Sequence, residues 1–351
     1  MSEVKPRASI IIVNYNGREY LKPCLSSVRC NLGPRDEILL FDNASTDGSP
    51  DYVEQGFPQI RIIRSKENLG FGSANNMAAR QAGGQYLAFL NPDTTTEPGW
   101  LEALISVIEG DPTIGLATSK ILQMDHPDKV SGCGNEVHCS GLALGRGMGM
   151  DRDAFSEVEE LAAISGASFA ARRDVFEGMG GFDGDFFMYV EDADLSFRTR
   201  LAGYRLVHVP GSVVHHDYTL SLGPHKTFYQ ERNRYLMLLK NLRWPTLLLL
   251  LPALALAEVV TWGFVVLREK SHLRNKLDAY WWIVTHWSDI MEKRRQVQSS
   301  RRVPDRHLLG LLTHRLAYEQ TGAGALAVLA KLVFDPLFFL CHRFALLAVR
   351  W

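Results

Sequence analysis

Tyr86-Leu-Ala-Phe-Leu-Asn-Pro-Asp93 is a short apolar run with an abrupt polar end. Tyr86 to Leu90 reads as a buried strand, preceded by Gly83-Gly84 and stopped by Asn91-Pro92. Asp93 therefore stands just past the carboxyl end of a central strand, where open α/β sheets bind their ligands. A carboxylate there, in a chain with other nucleotide-binding signs, suggests a divalent cation bridging to a diphosphate. Asn-Pro-Asp is also ordinary turn chemistry, so this stretch alone leaves a plain turn open.

The elements on either side repeat the pattern. Ala8 to Val13 is a β-branched strand buried on both faces, ending in Asn14-Tyr15-Asn16-Gly17. A helix from Arg18 to Cys30 follows, then a strand from Glu37 to Phe41 ending in Asp42-Asn43-Ala44-Ser45-Thr46-Asp47-Gly48. An Asp at the end of a second strand often accepts hydrogen bonds from a ribose or base, and it also serves as a helix N-cap. Ile60 to Ile63 is a third strand. Asn68-Leu-Gly-Phe-Gly72 then opens a helix to Gln81, whose free N–H groups favour an anion. Neither the dinucleotide glycine fingerprint nor a P-loop is present. A helix from Pro98 to Glu109 and a strand at Ile114 to Thr118 come next. Gln123 to Glu160 reads as long loops with room for a hairpin, and Ser165 to Ala171 as another strand.

Further on, Glu191, Asp192 and Asp194 crowd the start of a helix running to Leu201. The helix dipole favours acids there; a general base on a rigid element is the functional reading. Asp194 with Arg198 is an i,i+4 pair and reads as structural. Tyr204 to Val209 is a strand followed by Pro210-Gly211, and Val213-Val-His-His-Asp217 then supplies two imidazoles, either of which suits a metal.

Charge is unevenly distributed. From Leu242 onward there are 15 Lys+Arg against 8 Asp+Glu, net +7; the rest of the chain has 23 against 31, net −8. A basic, apolar C-terminal third suggests an anionic membrane surface. No nucleic-acid motif accompanies the charge, so nucleic acid is not expected as a partner. Trp244 to Leu267 is long enough to cross a bilayer but holds Glu258, which leaves a span, an in-plane helix and a buried soluble helix all open. Lys293-Arg-Arg295 and Arg301-Arg302 read as an interfacial basic cluster. Leu326 to Leu347, interrupted by Asp335-Pro336, reads as an in-plane helix pair. Five cysteines without a Cys-x-x-Cys pair fit a reducing compartment. The short apolar run at Ile10 to Val13 is too short for a signal-peptide core, so the body is expected on the cytoplasmic side.

Seven motifs in order resemble one family: Ile11-Ile-Val-Asn-Tyr-Asn16, Asp42-Asn-Ala-Ser-Thr-Asp-Gly48, Asn68-Leu-Gly-Phe71, Asn91-Pro-Asp93, Gly180-Gly-Phe-Asp183, Tyr189-Val-Glu-Asp-Ala-Asp-Leu195 and Val214-His-His216. The chain resembles the family-2 inverting glycosyltransferases, and within them the bacterial rhamnosyltransferase-like branch of cell-surface polysaccharide synthesis. Arg294-Arg-x-x-Gln298 resembles that branch less specifically. The resemblance implies a glycosyltransferase-A fold: an α/β, Rossmann-like mixed sheet flanked by helices. A catalytic domain over 1–222 and a helical, membrane-associating extension over 223–351 are expected.

The resemblance also implies roles. Asn14, Tyr15, Asn16, Asp42, Asn68, Gly70 and Asn91 would hold the nucleotide sugar. Asp93 would be the last carboxylate of the family's Asp-x-Asp metal motif, with Asn91 at the first position. His216, five residues past Gly211, fits the family's metal histidine better than His215. Asp192 would be the catalytic base, with Glu191 orienting or binding the acceptor. A divalent cation (Mg²⁺ or Mn²⁺), a nucleotide diphosphate sugar donor, a glycan or glycolipid acceptor and a membrane surface are the implied cofactor and partners. A helix N-terminus keeps a carboxylate ionised and so a weaker base, which leaves proximity to supply much of the rate. Two other classes make different demands on the sequence. A sugar-nucleotidyltransferase should carry a glycine- and lysine-rich phosphate loop, and Asn14 to Glu19 has only Gly17 and Arg18. A non-catalytic scaffold should have lost Asp93 or Asp192, and both are present.

Overall fold

In a computed structural model of the chain, residues 5–217, 224–268, 270–320 and 325–351 are described. The domain boundary expected at 222/223 lies outside them. Two compact units are present: Met1–Gly134, Gly145–Thr199 and Tyr204–Thr219 form one, and Asn135–Leu144, Arg200–Gly203 and Leu220–Trp351 the other.

The first unit begins β1 (Ala8–Asn14), α1 (Arg18–Arg29), β2 (Asp36–Asp42), α2 (Ser49–Gly56), β3 (Arg61–Arg64), α3 (Gly70–Gln81) and β4 (Tyr86–Leu90). β5 (Thr94–Thr96), α4 (Trp100–Gly110), β6 (Ile114–Gln123) and β7 (Val130–Gly132) follow. β8 (Asn135–Val137) pairs with β9 (Ala143–Gly145) in a separate small sheet, of which Asn135–Leu144 belong to the second unit. β10 (Glu159–Glu160), β11 (Ser168–Arg172), α5 (Arg173–Gly178), α6 (Glu191–Leu201) and β12 (Arg205–His216) complete the series. The main sheet runs β10-β12-β6-β11-β4-β1-β2-β3, with β5 on β12 and β7 on β6. β4, β1, β2 and β3 are parallel, whereas β11 is antiparallel to both β4 and β6. This is the mixed sheet the sequence led one to expect.

Alternation along the central strands builds two cores. Ile10, Ile12, Ala88 and Leu90 pack on one face with Leu21 and Val28 of α1, Val53 of α2 and Trp100 of α4. Ile11, Leu87 and Phe89 face the other way, onto Ala74 and Ala78 of α3, Phe176 of α5 and Leu195 of α6. Both faces of each strand are covered, so the strands read as unbroken apolar runs.

Some expectations need correction. Gln123 to Glu160 holds a hairpin, β8 with β9, and two further short strands that the loop reading missed; pieces of two or three residues are shorter than any alternation pattern can register. Pro210-Gly211 does not end a strand: β12 continues through it with a bulge between Val209 and Val213, where a missing N–H is tolerated. Leu326 to Leu347 is not a helix pair but lies within one helix, Ala325–Ala348, with Pro336 inside it. A proline there forfeits the bond to the Leu332 carbonyl; Leu332 and Pro336 both lie on the exposed face.

The second unit contains α7 (Pro224–Asn241), α8 (Trp244–Arg268), α9 (Leu273–Thr285), α10 (Trp287–Ser300), α11 (Asp305–Leu309) and α12 (Ala325–Ala348). The last carbonyls of α7 have no partner within their own helix. Arg294 donates to the carbonyls of Leu239 and Leu242, Gln298 Nε2 to those of Lys240 and Asn241 at 2.9 Å, and Arg301 to that of Asn241 at 2.9 Å. Cations suit this negative helix end. Arg294 and Arg301 therefore cap α7, a correction to their reading as an interfacial cluster.

Candidate active site

The site residues gather at the carboxyl edge of the first unit's sheet. Asn14 and Asp42 are register partners at the ends of β1 and β2, and both are buried. Asn14 Nδ2 donates to Ser45 Oγ at 3.1 Å, and Asp42 Oδ2 accepts the Ser45 N–H at 3.2 Å. The other oxygen of each, Asn14 Oδ1 and Asp42 Oδ1, is buried with no hydrogen bond. A side-chain carbon at Gly17 would come within 2.7 Å of Asn14 Oδ1, so glycine keeps that oxygen clear. Two adjacent unsatisfied acceptors at a sheet's ligand edge are costly unless a donor arrives. Ribose hydroxyls and base N–H groups are such donors.

The neighbouring asparagines hold the loops. Asn16 adopts φ 53°, and its Oδ1 takes the Thr46 N–H at 2.7 Å. Tyr15 beside it is half exposed. Asn68 Oδ1 accepts from Asn43 Nδ2 and from the Gly70 N–H, both at 2.9 Å, and Asn43 Oδ1 accepts the Leu69 N–H. Asn43, not singled out from the sequence, is thus the clasp of the Asn68 loop. Gly70 has φ +77°, and a Cβ there would meet the Phe187 carbonyl oxygen at 2.4 Å. The Phe71 N–H donates to that carbonyl at 2.7 Å. One N–H expected free for an anion here thus serves the chain's own backbone, and the glycine admits the Phe187 carbonyl. Gly70→Ala is expected to cost roughly 1–3 kcal/mol, the range for a strained non-glycine backbone, before any displacement of Phe187 is added. Urea unfolding checks it; an unchanged midpoint would mean that the two segments do not press on one another.

Asp93 and His216 meet because β5 pairs antiparallel with the end of β12, placing His216 opposite Thr94. The Asp217 N–H donates to the Asp93 carbonyl at 3.0 Å and closes the pairing. Asp93 Oδ1 lies 3.2 Å from His216 Nε2. That oxygen is buried and makes no hydrogen bond. Successive strand residues point to opposite faces, so His215 turns away and contacts Glu97 Oε1 through Nε2 at 2.8 Å. Burial raises Glu97, but Arg152 and His215 outweigh it and hold the carboxyl below its usual range. Among the described residues no group of three or more His, Cys, Asp or Glu could hold a metal. Asp93 and His216 supply two donor atoms of the types a divalent cation takes, and diphosphate oxygens and water would have to supply the rest.

Asp192 is held at the same edge. Its Oδ2 accepts the Gly166 N–H at 2.9 Å and its Oδ1 the Ala193 N–H at 2.7 Å. Next to Gly166, the Ala167 carbonyl accepts the Asn91 N–H at 2.9 Å, so the loop bearing Asp93 and the anchor of Asp192 are tied by adjacent residues. Nothing in the sequence marks Gly166 for this task; the antiparallel pairing of β11 with β4 sets it beside the Asn91 loop.

Tyr189 and Val190 have φ values of 66° and 69°. A β-branched residue there is a genuine outlier. The strain falls immediately before the acidic pair, as backbone strain at functional sites does. Glu191 is buried, and its Oε2 has no hydrogen bond. Burial, and next the charge of Asp192, push its carboxyl up to about 8. The folded chain thus keeps a proton that the unfolded chain releases from about 4.5. Stability is expected to fall as pH rises from about 4.5 to about 8, because unfolding releases that proton within this window. Glu191→Gln should flatten the slope, which thermal melts at pH 5, 6, 7 and 8 would read. An unchanged slope would mean that Glu191 is ionised in the fold.

Comparison with known proteins bears on the whole edge. Residues 9–180 match the model of glycosyl transferase family 2. The chain is 29% identical over 245 residues to N-acetylglucosaminyl-diphospho-decaprenol L-rhamnosyltransferase of Mycobacterium tuberculosis, covering 64% of this chain and 79% of the relative. Its fold is shared with S. aureus TarS 1-349 in complex with UDP-GlcNAc, at a TM-score of 0.57 and 15% identity over 96% of this chain and 90% of that one. It is also shared with the mannosyltransferase PcManGT from Pyrobaculum calidifontis in complex with GDP-Man and Mn2+, at a TM-score of 0.51 and 16% identity over 99% and 88%. With the motifs in order on a glycosyltransferase-A sheet, residues 9–180 carry the glycosyl transferase family 2 match, and the chain is similar to the rhamnosyltransferase-like branch of that family.

Proposed function

We propose that the chain is an inverting, divalent-cation-dependent hexosyltransferase. It moves a sugar from a nucleotide diphosphate donor to a lipid-linked or cell-surface polysaccharide acceptor. The observation carrying this reading is the shared edge: two orphaned acceptors at Asn14 and Asp42, the Asp93–His216 pair, and a tethered Asp192. The relative from M. tuberculosis bears the name of a rhamnosyltransferase on a diphospho-decaprenol acceptor, which favours a rhamnosyl donor here.

The residues divide the work. Asn14 and Asp42 take the base and ribose, with the Asn68 and Asn16 loops shaping the cleft. Asp93 and His216 would hold a Mg²⁺ or Mn²⁺ ion, which when bound offsets the charge of the departing diphosphate. Asp192, fixed by two N–H groups, accepts the proton of the acceptor hydroxyl as that oxygen attacks the anomeric carbon from the face opposite the leaving group. One displacement inverts the centre. Glu191 supports Asp192 from within the protein. The catalytic body ends near residue 222, and the helices beyond it place the enzyme on the cytoplasmic face of the membrane, near lipid-linked acceptors.

A donor screen tests the reading. Purified chain, Mg²⁺ or Mn²⁺ and a panel of sugar nucleotides with a prenyl-diphosphate glycan acceptor should release nucleoside diphosphate with one donor class. Release of pyrophosphate from a nucleoside triphosphate and a sugar phosphate would point to nucleotidyl transfer instead.

A further inference from the structure

α8 is apolar enough to cross a bilayer by length and composition. Its single carboxylate argues against crossing. Glu258 accepts from Arg234 and Tyr235 of α7, and from Tyr280 of α9 at 2.5 Å. Lys276 of α9 lies 3.3 Å from both Glu258 and Glu231, and donates to Thr261 of α8 at 2.6 Å. Arg234 and Lys276 are buried. Three helices are thus joined by two cations, two carboxylates and two tyrosines. A span by α8 would carry its bound partners into the hydrocarbon, each charge at about 2.5–3.5 kcal/mol or more.

The outward faces have the opposite character. On α8, Leu248, Leu251, Val259 and Val266 are exposed along one stripe, while Leu250, Ala253 and Ala257 face inward. α12, which packs against α8, exposes Leu332 (70%), Leu340 and Leu347 and turns Phe338, His342 and Ala345 inward. α9 exposes Leu277, Trp281 and Val284 at i, i+4 and i+7. The exposed charges of α12 are Lys331 and Arg343; its one carboxylate, Asp335, is half buried beside Tyr318. Apolar stripes on a bonded helical bundle, flanked by cations and tryptophan, match the surface of an anionic leaflet.

We propose that α8 and α12 lie in the plane of the membrane and dock the enzyme on one anionic leaflet through their outward leucines, without crossing it. This rests on the membrane-association reading above and decides its form. The test uses the purified full chain with vesicles of phosphatidylglycerol and phosphatidylcholine, or of phosphatidylcholine alone. Binding to the anionic vesicles should weaken with salt. Leu332→Glu with Leu340→Glu should weaken it more than tenfold, and Lys331→Glu with Arg343→Glu should abolish the anionic preference. Both pairs lie on the surface and should keep donor turnover on a soluble acceptor, which reports folding. Single cysteines at Pro245→Cys and Arg274→Cys, read above the wild-type background in sealed cell vesicles, should react with an impermeant maleimide from the same side. Reaction from opposite sides would mean a span and overturn the proposal while leaving membrane association intact. No binding to either vesicle by an active enzyme would overturn both. A leucine variant that turns a dimer into a monomer but binds vesicles as before would assign this face to a second copy and also overturn the proposal.

Discussion

Asp192→Asn is expected to leave nucleotide-sugar affinity nearly unchanged while cutting turnover by roughly 10²–10⁴, the range for a positioned general base. Asparagine keeps the size of the side chain and can still accept the Gly166 N–H through its carbonyl oxygen. It cannot take the acceptor's proton. A loss in kcat and kcat/KM with an unchanged donor Kd is the mark of an interaction made only in the transition state. Glu191→Gln is the control, because its carboxyl is buried and raised towards a neutral form that glutamine imitates. A much smaller loss is expected there. Calorimetry for donor Kd and nucleoside diphosphate release for turnover separate the cases. If Asp192→Asn turns over like the wild type, the base lies elsewhere, with Glu191 or Asp194 next in line. If it loses donor binding, Asp192 belongs to the nucleotide site.

Asp93→Ala should act on the other half of the reaction. Its Oδ1, buried and without a hydrogen bond beside His216, is placed to meet a cation and through it the diphosphate. A metal's contribution of several kcal/mol corresponds to roughly 10²–10³ in rate. The variant should lose donor affinity as well as turnover, and Mg²⁺ or Mn²⁺ should no longer tighten donor binding. Donor titrations with and without metal, and in excess chelator, measure this directly. Full activity of the wild type in chelator would remove Asp93 and His216 from a metal role.

The fold was legible because its central strands are apolar on both faces and end in polar residues. Tyr86 to Leu90 and Ala8 to Asn14 could hardly be anything but buried strands. The positions that gather at the edge were legible from the same rule, since ligands bind beyond strand ends. What could not be read was the pairing that brings distant segments together. Gly166, just ahead of a strand inserted antiparallel beside β4, anchors Asp192 of α6, and no local pattern reports that meeting. His215 and His216 are indistinguishable as residue types, and only the register against Thr94 aims one at Asp93 and the other at Glu97. The glycines of the Asn68 loop look like a ligand cradle from sequence, yet Gly70 makes room for Phe187. Arg294 and Arg301 look like surface charge until the unsatisfied end of α7 is set beside them. In each case the residue type was informative and its partner was not.

The most direct measurement is the mass of the acceptor after incubation of the full chain with metal, a sugar nucleotide and a prenyl-diphosphate glycan. With the wild type, the acceptor should gain one glycosyl unit, joined with inverted anomeric configuration by NMR, and Asp192→Asn should leave it nearly unmodified while binding donor as tightly. Retained configuration, a nucleotidyl adduct, or equal transfer by both proteins would contradict the account.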